Sequence, residues 1–372
     1  MTLKPGPKMG LGFLNIIEDM KKVFTLIFMI GMTLSAIAQL DNGFYRIKNN
    51  TTGRYIVMYD PYVLVQKATG TVNLSALQTI TSFNTVRSHM GSVWYMRNNG
   101  DSQYDFYCQH SSLGANSGGF YPTIFLNGGL YRIYGEHSGF AKYLYDVDDE
   151  DTGEGYVSIN GQNLNWEFIP IDDDNYIGIE PETNADGYYW ATFMSGFPFR
   201  LGSGMKAFYV YKITDHGFAM SEMGNEIPAK VPVLLRLNGG SPSDNRITLM
   251  KSSSASAPSD NKMYGTWYSS NLGGKHGDWN VKCESYNRIL GESGGHLAFV
   301  RGSGVIEHNR GYIDVSSNAD DAIIEATDGI TSVEKQDDSE KGIYTLTGQK
   351  VPEGKTPRPG IYIKDGQKVV IK

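Results

Sequence analysis

The chain has 372 residues, a formal net charge of −7 and no basic block. We therefore expect no nucleic-acid partner, because binding to phosphates requires a face rich in Lys and Arg. The 24 Tyr and 44 Gly, with few helix-forming runs, are typical of β-structure with many turns. The length exceeds the roughly 250–300 residues at which single cores stop growing, so we predict an all-β chain with more than one module.

Residues 1–39 read as a leader and a signal peptide. A basic head at Met20-Lys21-Lys22 precedes an apolar run, and Ala36-Ile37-Ala38 is a small-residue cleavage signature. The run is shorter than the roughly 20 apolar residues that span a bilayer, so a membrane anchor is the weaker alternative. We expect translation to begin at Met20 and cleavage to follow Ala38, which predicts a secreted or surface-exposed protein.

Residues 40–172 contain an internal repeat. Phe44-Tyr45-Arg46-Ile47 returns as Leu130-Tyr131-Arg132-Ile133, and the two tyrosines are 86 positions apart (131 minus 45). The alternation of apolar and polar residues predicts strands, and Asn49-Asn50-Thr51-Thr52-Gly53 predicts a hairpin turn after the first copy. The spacing leaves room for a third, divergent unit around Tyr104 to Leu126, so three units in a trefoil are expected.

The segments "YRIKNNTTGRYI", "YRIYGEHSGFAKYL" and "NWEFIPI" resemble the ricin-B-type β-trefoil lectin family. The resemblance implies a β-trefoil-like domain over residues 40–172 that binds carbohydrate. Family repeats have Gln two places before the Trp, whereas here Leu164 precedes Trp166 and Ser92 precedes Trp94. The sugar-contacting residues of the family therefore cannot be transferred to this chain.

We interpret Trp94 and Trp166 as core residues, since burying a large ring stabilises a small barrel. The candidate ligand-binding residues are instead Tyr59, Asp60 and Tyr62, where a ring face and a carboxylate can meet the apolar face and the hydroxyls of a sugar. A plain turn at Asp60-Pro61 is the alternative for the same residues.

The acidic stretch Asp146–Glu154 suggests a calcium loop. However, Asp151 stands where an EF-hand needs Gly, and Val157 stands where it needs an acidic ligand. A solvated hairpin loop is the favoured interpretation. Asp172-Asp173-Asp174-Asn175 is expected to be a polar linker that ends the first module.

Residues 176–316 are predicted to form a β-sandwich domain interrupted by a Ser-rich insertion at 251–261. The segments "ATFMSGFPFRL", "KAFYVYKI" and "IPAKVPVLLRL" resemble a β-sandwich module that occurs beside sorting tails in surface proteins of anaerobic Gram-negative bacteria. This resemblance implies a location at the cell surface more than an activity. We expect one sandwich rather than two small domains.

One stretch resembles an enzyme motif. Gly291-Glu292-Ser293-Gly294-Gly295-His296-Leu297 matches G-x-S-x-G, but we interpret it as a hairpin turn, because a nucleophilic Ser needs a His base held by an Asp. The His and Cys residues show no metal-ligand spacing, so we predict neither metal nor cofactor. Distant paired carboxylates leave no local signature, so a glycosidase stays an alternative. Cys108 and Cys283 do not make a disulfide framework, and either a bridge or two free thiols is open.

The C-terminal residues 342–372 follow a predicted flexible linker at 317–341, which is rich in Asp, Ser and Glu. "YTLTGQKV" and "PGIYIKDGQKVVIK" resemble the short C-terminal sorting domain of Por-type (type IX) secretion substrates. The resemblance implies that secretion machinery is a partner. A last β-hairpin that packs on the sandwich is the alternative.

These patterns together predict an exported, non-enzymatic protein of the surface of a Gram-negative bacterium that binds carbohydrate through its trefoil-like domain. The alternative is a structural or adhesive surface protein in which the trefoil is only a scaffold, since fold does not imply function.

Overall fold

The computed structural model describes residues 39–58, 71–72, 77–80, 82–100, 103–109, 111–113, 123–137, 140–148, 155–158, 161–266, 281–325, 343–345, 351, 360–364 and 367–371. Residues 1–38 of the predicted leader and signal peptide lie outside this set. Strands dominate, and the predicted all-β class is confirmed. The helical segments described are the α-helix Phe83–Val86 (α1) and two 3₁₀ turns, Met90–Ser92 and Pro242–Asp244. None of the described helices combines the length and the apolar character that crossing a bilayer demands.

Thirteen strands of the first module share one curled sheet. They are Gly43–Asn49 (β1), Tyr55–Met58 (β2), Thr71–Val72 (β3), Leu77–Ile80 (β4), Trp94–Gly100 (β5), Gln103–Cys108 (β6), Ser111–Leu113 (β7), Thr123–Asn127 (β8), Leu130–His137 (β9), Phe140–Tyr143 (β10), Tyr145–Asp148 (β11), Gly155–Ser158 (β12) and Trp166–Pro170 (β13).

Six of these strands pair in a closed ring. β1 pairs with β5, β5 with β6, and β6 with β8. β8 then pairs with β9, β9 with β13, and β13 returns to β1, every pairing being antiparallel. The first module is therefore barrel-like, and the pairs β2–β4 and β11–β12 extend from it outside the ring.

The inside of the ring is set by equivalent positions on three strands. Ile47 of β1, Phe106 of β6 and Ile133 of β9 are all buried, and each follows a tyrosine by two places. Because side chains alternate along a strand, this spacing sends both residues of each pair to the same side of the sheet. The stretch 104–126, where a third unit is expected, contains most of β6, all of β7 and part of β8.

The three tyrosines of this pattern lie near one another. Burial raises the pKa of Tyr45, and Asp41, Tyr131 and Tyr104 raise it further. Tyr131 also packs its ring edge-on against Phe168, 5.2 Å between centroids. The tyrosines are therefore part of the barrel core.

Trp94 and Trp166 are both fully buried, at 0 % exposure, so the prediction that they are core residues is confirmed. The indole Nε1 of Trp94 donates to the carbonyl of Ile56 at 3.4 Å. Nε1 of Trp166 donates to the carbonyl of Leu144 at 3.0 Å. Each indole thus satisfies its polar atom on a segment that follows the opening strand of its own repeat.

The predicted turn after β1 is present. Asn49 accepts the amide of Gly53 with its carbonyl and the amides of Thr51 and Thr52 with its side chain. Gly53 has φ +74°, a conformation that favours glycine. The turn returns the chain so that Lys48 of β1 pairs with Tyr55 of β2.

The interpretation of the acidic stretch at 146–154 as a solvated loop is wrong for its first residue. Asp146 is buried and accepts hydrogen bonds from Arg54 Nε and Nη2, both at 3.0 Å, and from Thr79 Oγ1 at 2.7 Å. Asp148 is 71 % exposed and pairs with the same arginine at 2.5 Å. Asp146 thus compensates the charge of the buried Arg54 guanidinium. Residues 149–154 lie outside the described set.

The second module contains sixteen further strands. They are Ile177–Gly178 (β14), Thr183–Ala185 (β15), Tyr188–Phe193 (β16), Phe199–Leu201 (β17), Lys206–Ile213 (β18), Gly217–Glu222 (β19), Glu226–Ile227 (β20), Val233–Leu237 (β21), Arg246–Leu249 (β22), Met263–Gly265 (β23), Val281–Lys282 (β24), Asn287–Ser293 (β25), His296–Arg301 (β26), Val305–Ile306 (β27), Gly311–Asp314 (β28) and Ala322–Glu325 (β29).

The strands of the second module form curled layers. A four-stranded sheet has the order β14-β22-β17-β20, and a ten-stranded sheet has the order β15-β16-β21-β18-β19-β29-β26-β25-β28-β23. Val233 and Leu235 of β21 share a core with Phe199 of the smaller sheet. Leu234, between them, shares another core with Phe299 of β26. β21 is therefore buried on both faces.

Strands on both sides of the Ser-rich segment 251–261 belong to the same ten-stranded sheet, as expected of a segment inserted into one unit. The sheet also extends beyond the predicted boundary at residue 316. Ala322–Glu325 pairs with β26 and, in parallel, with β19. Residues 322–325 are thus sheet rather than linker, because the alternation of Ile323 and Ile324 places one inward and one outward.

The two modules share a hydrophobic core. Met90 and Val93 of the first module belong to the same buried cluster as Ile179 and Phe197 of the second. Cys108 and Cys283 are free thiols, so the alternative of a bridge between them is not realised. The predicted strands of the tail are present as Ile343–Thr345 (β30), Gly360–Lys364 (β31) and Gln367–Ile371 (β32), which form a separate antiparallel sheet.

Candidate functional site

The residues that the sequence proposed as ligand-binding, Tyr59, Asp60 and Tyr62, lie outside the described residues. An exposed aromatic surface is found instead on the second module, which the sequence predicted to be a β-sandwich without assigning it a ligand-binding residue.

Tyr264 and Tyr312 form the centre of this surface. They face each other across the antiparallel pair β23–β28, with ring centroids 5.6 Å apart and ring planes 25° from parallel. Their neighbours Met263 and Ile313 point into the core, so alternation sends both tyrosines to the outer face. Tyr264 is 51 % exposed. We call this pair, with Tyr286, the tyrosine platform.

The platform continues as a row across the outer face of the sheet. Tyr312 pairs with Ile289, Ile289 with Val300, and Val300 with Ala322. All three aliphatic residues are partly exposed. With neighbouring strands about 4.8 Å apart, the row from Tyr264 to Ala322 crosses five strands and measures about 19 Å.

Polar groups lie beside the platform. Asn287 Nδ2 donates to Asp314 Oδ1 at 2.7 Å, and this pair lies two register positions from Tyr312, on the same face of the sheet. Burial raises the pKa of Tyr312, and the charges of Asp314, Tyr264 and Tyr286 raise it further. Asn287 is buried, and its Oδ1 accepts a hydrogen bond from the amide of Glu284, so it serves to hold Asp314. Aromatic rings next to a partly exposed carboxylate can contact the apolar face of a sugar and accept hydrogen bonds from its hydroxyls.

A cleft of about 420 Å³ lies at the junction of the modules. Its walls come from residues 84–89 of the first module and residues 307–310 of the second, and Ile179 and Phe193 add apolar surface. His89 and His308 stack in this wall with centroids 4.0 Å apart and planes 24° from parallel. Burial lowers the pKa of both, that of His308 to about 4, so both rings are neutral at pH 7.

The loop that carries His308 is firmly attached. Asn309 donates to Gln109 Oε1 at 2.7 Å and to the carbonyl of Met194 at 2.8 Å. Arg310 donates to the carbonyl of Glu180 at 3.1 Å and lies 3.5 Å from a carboxylate oxygen of Glu182. The loop that carries His308 is thus held by hydrogen bonds to both modules, whereas Ser88 Oγ in the opposite wall is buried without a hydrogen-bond partner among the residues that the structure describes.

The G-x-S-x-G stretch forms the predicted hairpin turn between β25 and β26. Gly294 and Gly295 have φ +62° and +85°, and Ser293 pairs with His296 across the turn. His296 Nδ1 lies 2.8 Å from Asp186 Oδ1, a partner that sequence reasoning missed because Asp186 is 110 positions away. Asp186 is itself held by the amide of Leu297, which lowers the pKa of its carboxyl.

Ser293, His296 and Asp186 have the residue types of a Ser-His-Asp triad, but the only described contact between their side chains joins His296 to Asp186. Ser293 Oγ makes no hydrogen bond to His296 among the described contacts, and His296 is exposed at the tip of the hairpin. A nucleophilic serine needs its base within hydrogen-bond reach and a water-excluding site. The geometry favours a turn locked by Asp186. Within the described part of the chain, no three His, Cys, Asp or Glu side chains are grouped so as to hold a metal ion.

We compared the chain with models of protein families, with curated proteins and with solved structures, and none of the three comparisons finds a match.

The strands of the platform follow from local sequence, but the platform itself does not. Alternation in Met263-Tyr264-Gly265 and Gly311-Tyr312-Ile313 signals an outward tyrosine in each strand. Nothing in the sequence indicates that strands nearly fifty residues apart are neighbours.

Proposed function

We propose that this protein is an exported, surface-located carbohydrate-binding protein whose glycan contact includes the tyrosine platform of the second module. The observation that carries the proposal is the stacked pair Tyr264–Tyr312, in which Tyr264 is exposed and Tyr312 is partly buried, with Asp314 nearby on the same face. Neutral sugars present apolar C–H faces and hydroxyls, and the platform offers the complementary aromatic and polar groups within one sheet face.

We also propose a specific architecture for each of the two domains. The closed ring of six strands, the repeated tyrosines and the two equivalent tryptophans support a β-trefoil-like domain at residues 40–172. The layered sheets support a β-sandwich-like second domain. The resemblance of the first module to ricin-B-type lectins adds weight to a carbohydrate ligand, and residues Tyr59, Asp60 and Tyr62 stay candidates for a second contact.

The experiment is a glycan-array screen of residues 39–372 followed by calorimetry on the best glycan. Replacing Tyr264 with Ala should weaken binding at least tenfold, because a contact worth about 1.4 kcal/mol corresponds to a factor of ten. Tyr211→Ala is the matched control, since Tyr211 is also exposed but lies on β18. Equal glycan affinity of the two variants would contradict a role for the tyrosine platform. Absence of binding to every glycan on the array would contradict carbohydrate as the ligand.

A structural or adhesive role without sugar binding is the second candidate. It is favoured by the complete burial of Trp94 and Trp166, which leaves neither indole available to a ligand. Absence of glycan binding on the array, together with retention of the protein at the cell surface, would favour this second candidate.

Export through a signal peptide and a C-terminal tail that engages secretion machinery completes the proposal. The separate sheet β30–β32 supports it, since a tail recognised by another protein is best carried as its own unit. Deleting residues 342–372 should leave the protein in the periplasm, as detected by fractionation. Surface exposure of the truncated chain would contradict the role of the tail.

A further inference from the structure

His89 and His308 are an unusual pair to find in a junction between modules. His89 is 5 % exposed and precedes the 3₁₀ turn Met90–Ser92, while the side chain of His308 is 23 % exposed and belongs to the loop between β27 and β28. Their rings stack across the junction at 4.0 Å. The pair lies in the cleft between the modules, away from the tyrosine platform.

Protonation would break two contacts at this place. Nδ1 of His89 accepts the amide of Gly91 at 3.0 Å, so the ring caps the turn only while Nδ1 carries no proton. Protonation of either imidazole to the imidazolium would also place a positive charge in the junction, against the stacked ring of the other histidine. Burial disfavours such a charge, because the junction offers less solvation than water.

The surrounding charges do not compensate for such a proton. Arg46 lies close enough to His89 to lower its pKa, and Arg310 does the same to His308. On the anionic side, a carboxylate oxygen of Glu307 lies 3.9 Å from His308, but this side chain is more than half exposed. Glu182 is occupied by Arg310 and by Thr192, and Glu180 lines the outer cleft.

We infer that residues 307–310 are an acid-released wall of the inter-module cleft, which leaves the 88–92 turn when the stacked imidazoles take up protons. The remaining contacts of the junction do not titrate in this range. Met90 and Val93 hold it through apolar burial against Ile179 and Phe197. The modules therefore stay joined while the cleft widens.

The sign of the pH effect follows from linkage. Both histidines have folded pKa values below the ordinary 6.5, that of His308 being about 4. The open state binds more protons than the closed state below pH 6.5, so closure is favoured above pH 6.5 and is lost progressively as the pH falls toward 4.

Hydrogen exchange on residues 39–372 at pH 7, 6, 5 and 4.5, corrected for intrinsic exchange rates, tests this inference. The informative amides are those of Met194 and Thr266, which donate to the carbonyls of Asn309 and Arg310, and that of Ser92 in the turn. We expect their protection to fall at least tenfold between pH 7 and pH 4.5, while the amides of the central strand β21 keep theirs.

Three variants make the result specific. His308→Phe keeps a ring that can stack on His89 but cannot titrate. Its loss of amide protection between pH 7 and pH 4.5 should be at least threefold smaller than that of the parent chain. His308→Gln is used instead if the Phe variant does not fold. His216→Gln is the control, because His216 is exposed and bonded to Asp320 away from the cleft. Unchanged protection in the parent chain, or an equal acid response in the His308 variants, would overturn the inference.

Discussion

Arg46 and Asn175 join the opening strand of the barrel to the segment that enters the second module. Arg46 Nη1 donates to Asn175 Oδ1 at 2.6 Å and to its carbonyl at 3.0 Å. The same guanidinium also donates to the carbonyls of Val86 and Tyr176 and to Ser92 Oγ. The sequence read 172–175 as a plain polar linker, but Asn175 is buried and fixed.

Replacing Arg46 with Met should therefore destabilise the junction. The change leaves several buried oxygens without donors, and we expect a loss of about 3–5 kcal/mol of unfolding free energy. Arg132→Met is the matched control, because Arg132 is the equivalent residue of the later repeat and is only partly buried. Denaturant unfolding measures both, and equal losses would contradict the special role of Arg46.

The buried Asp146 and the exposed Asp148 make a matched pair of partners for Arg54. Asp146→Asn removes the charge that compensates a buried guanidinium, so we expect a loss of about 3–5 kcal/mol. Asp148→Asn should change the free energy of unfolding by less than about 1 kcal/mol, since an exposed ion pair contributes little. Thermal unfolding with and without calcium checks both values. A rise in the unfolding temperature of the parent chain on addition of calcium would support the calcium-loop interpretation.

The two buried tryptophans should differ in their sensitivity to substitution. Trp166→Phe removes a donor from the Leu144 carbonyl and leaves a small cavity, for which we expect a loss of about 2–4 kcal/mol. Trp94→Phe should cost less, because its hydrogen bond to Ile56 is 3.4 Å long against 3.0 Å. Urea unfolding of both variants gives the comparison, and the reverse order would show that ring packing outweighs the hydrogen bond.

The G-x-S-x-G stretch should behave as a turn. Gly295 has φ +85° and open space around its α-carbon, so Gly295→Ala is strained by backbone conformation alone and should cost about 1–2 kcal/mol. Ser293→Ala should leave stability within about 0.5 kcal/mol of the parent. Hydrolysis of an activated ester by the parent chain that Ser293→Ala abolishes would refute this assignment.

The sequence by itself determined the strand class, the turn at Asn49–Gly53, the hairpin turn at Gly294-Gly295 and the burial of Trp94 and Trp166. These follow from the alternation of side chains and from Gly and Asn at turns such as Asn49–Gly53, both of which are local signals.

Only the tertiary structure decided which distant residues meet. Whether an acidic side chain is buried or exposed depends on the partner that compensates its charge. For Asp146 this partner is Arg54, which is 92 positions away in the sequence. Tyr264 and Tyr312 become one platform, and His89 and His308 become one stack, because strand pairing and module packing bring them together. Alternation fixes the side of a strand on which a residue lies. It carries no information on which strand lies beside it, since backbone hydrogen bonds pair strands of any sequence.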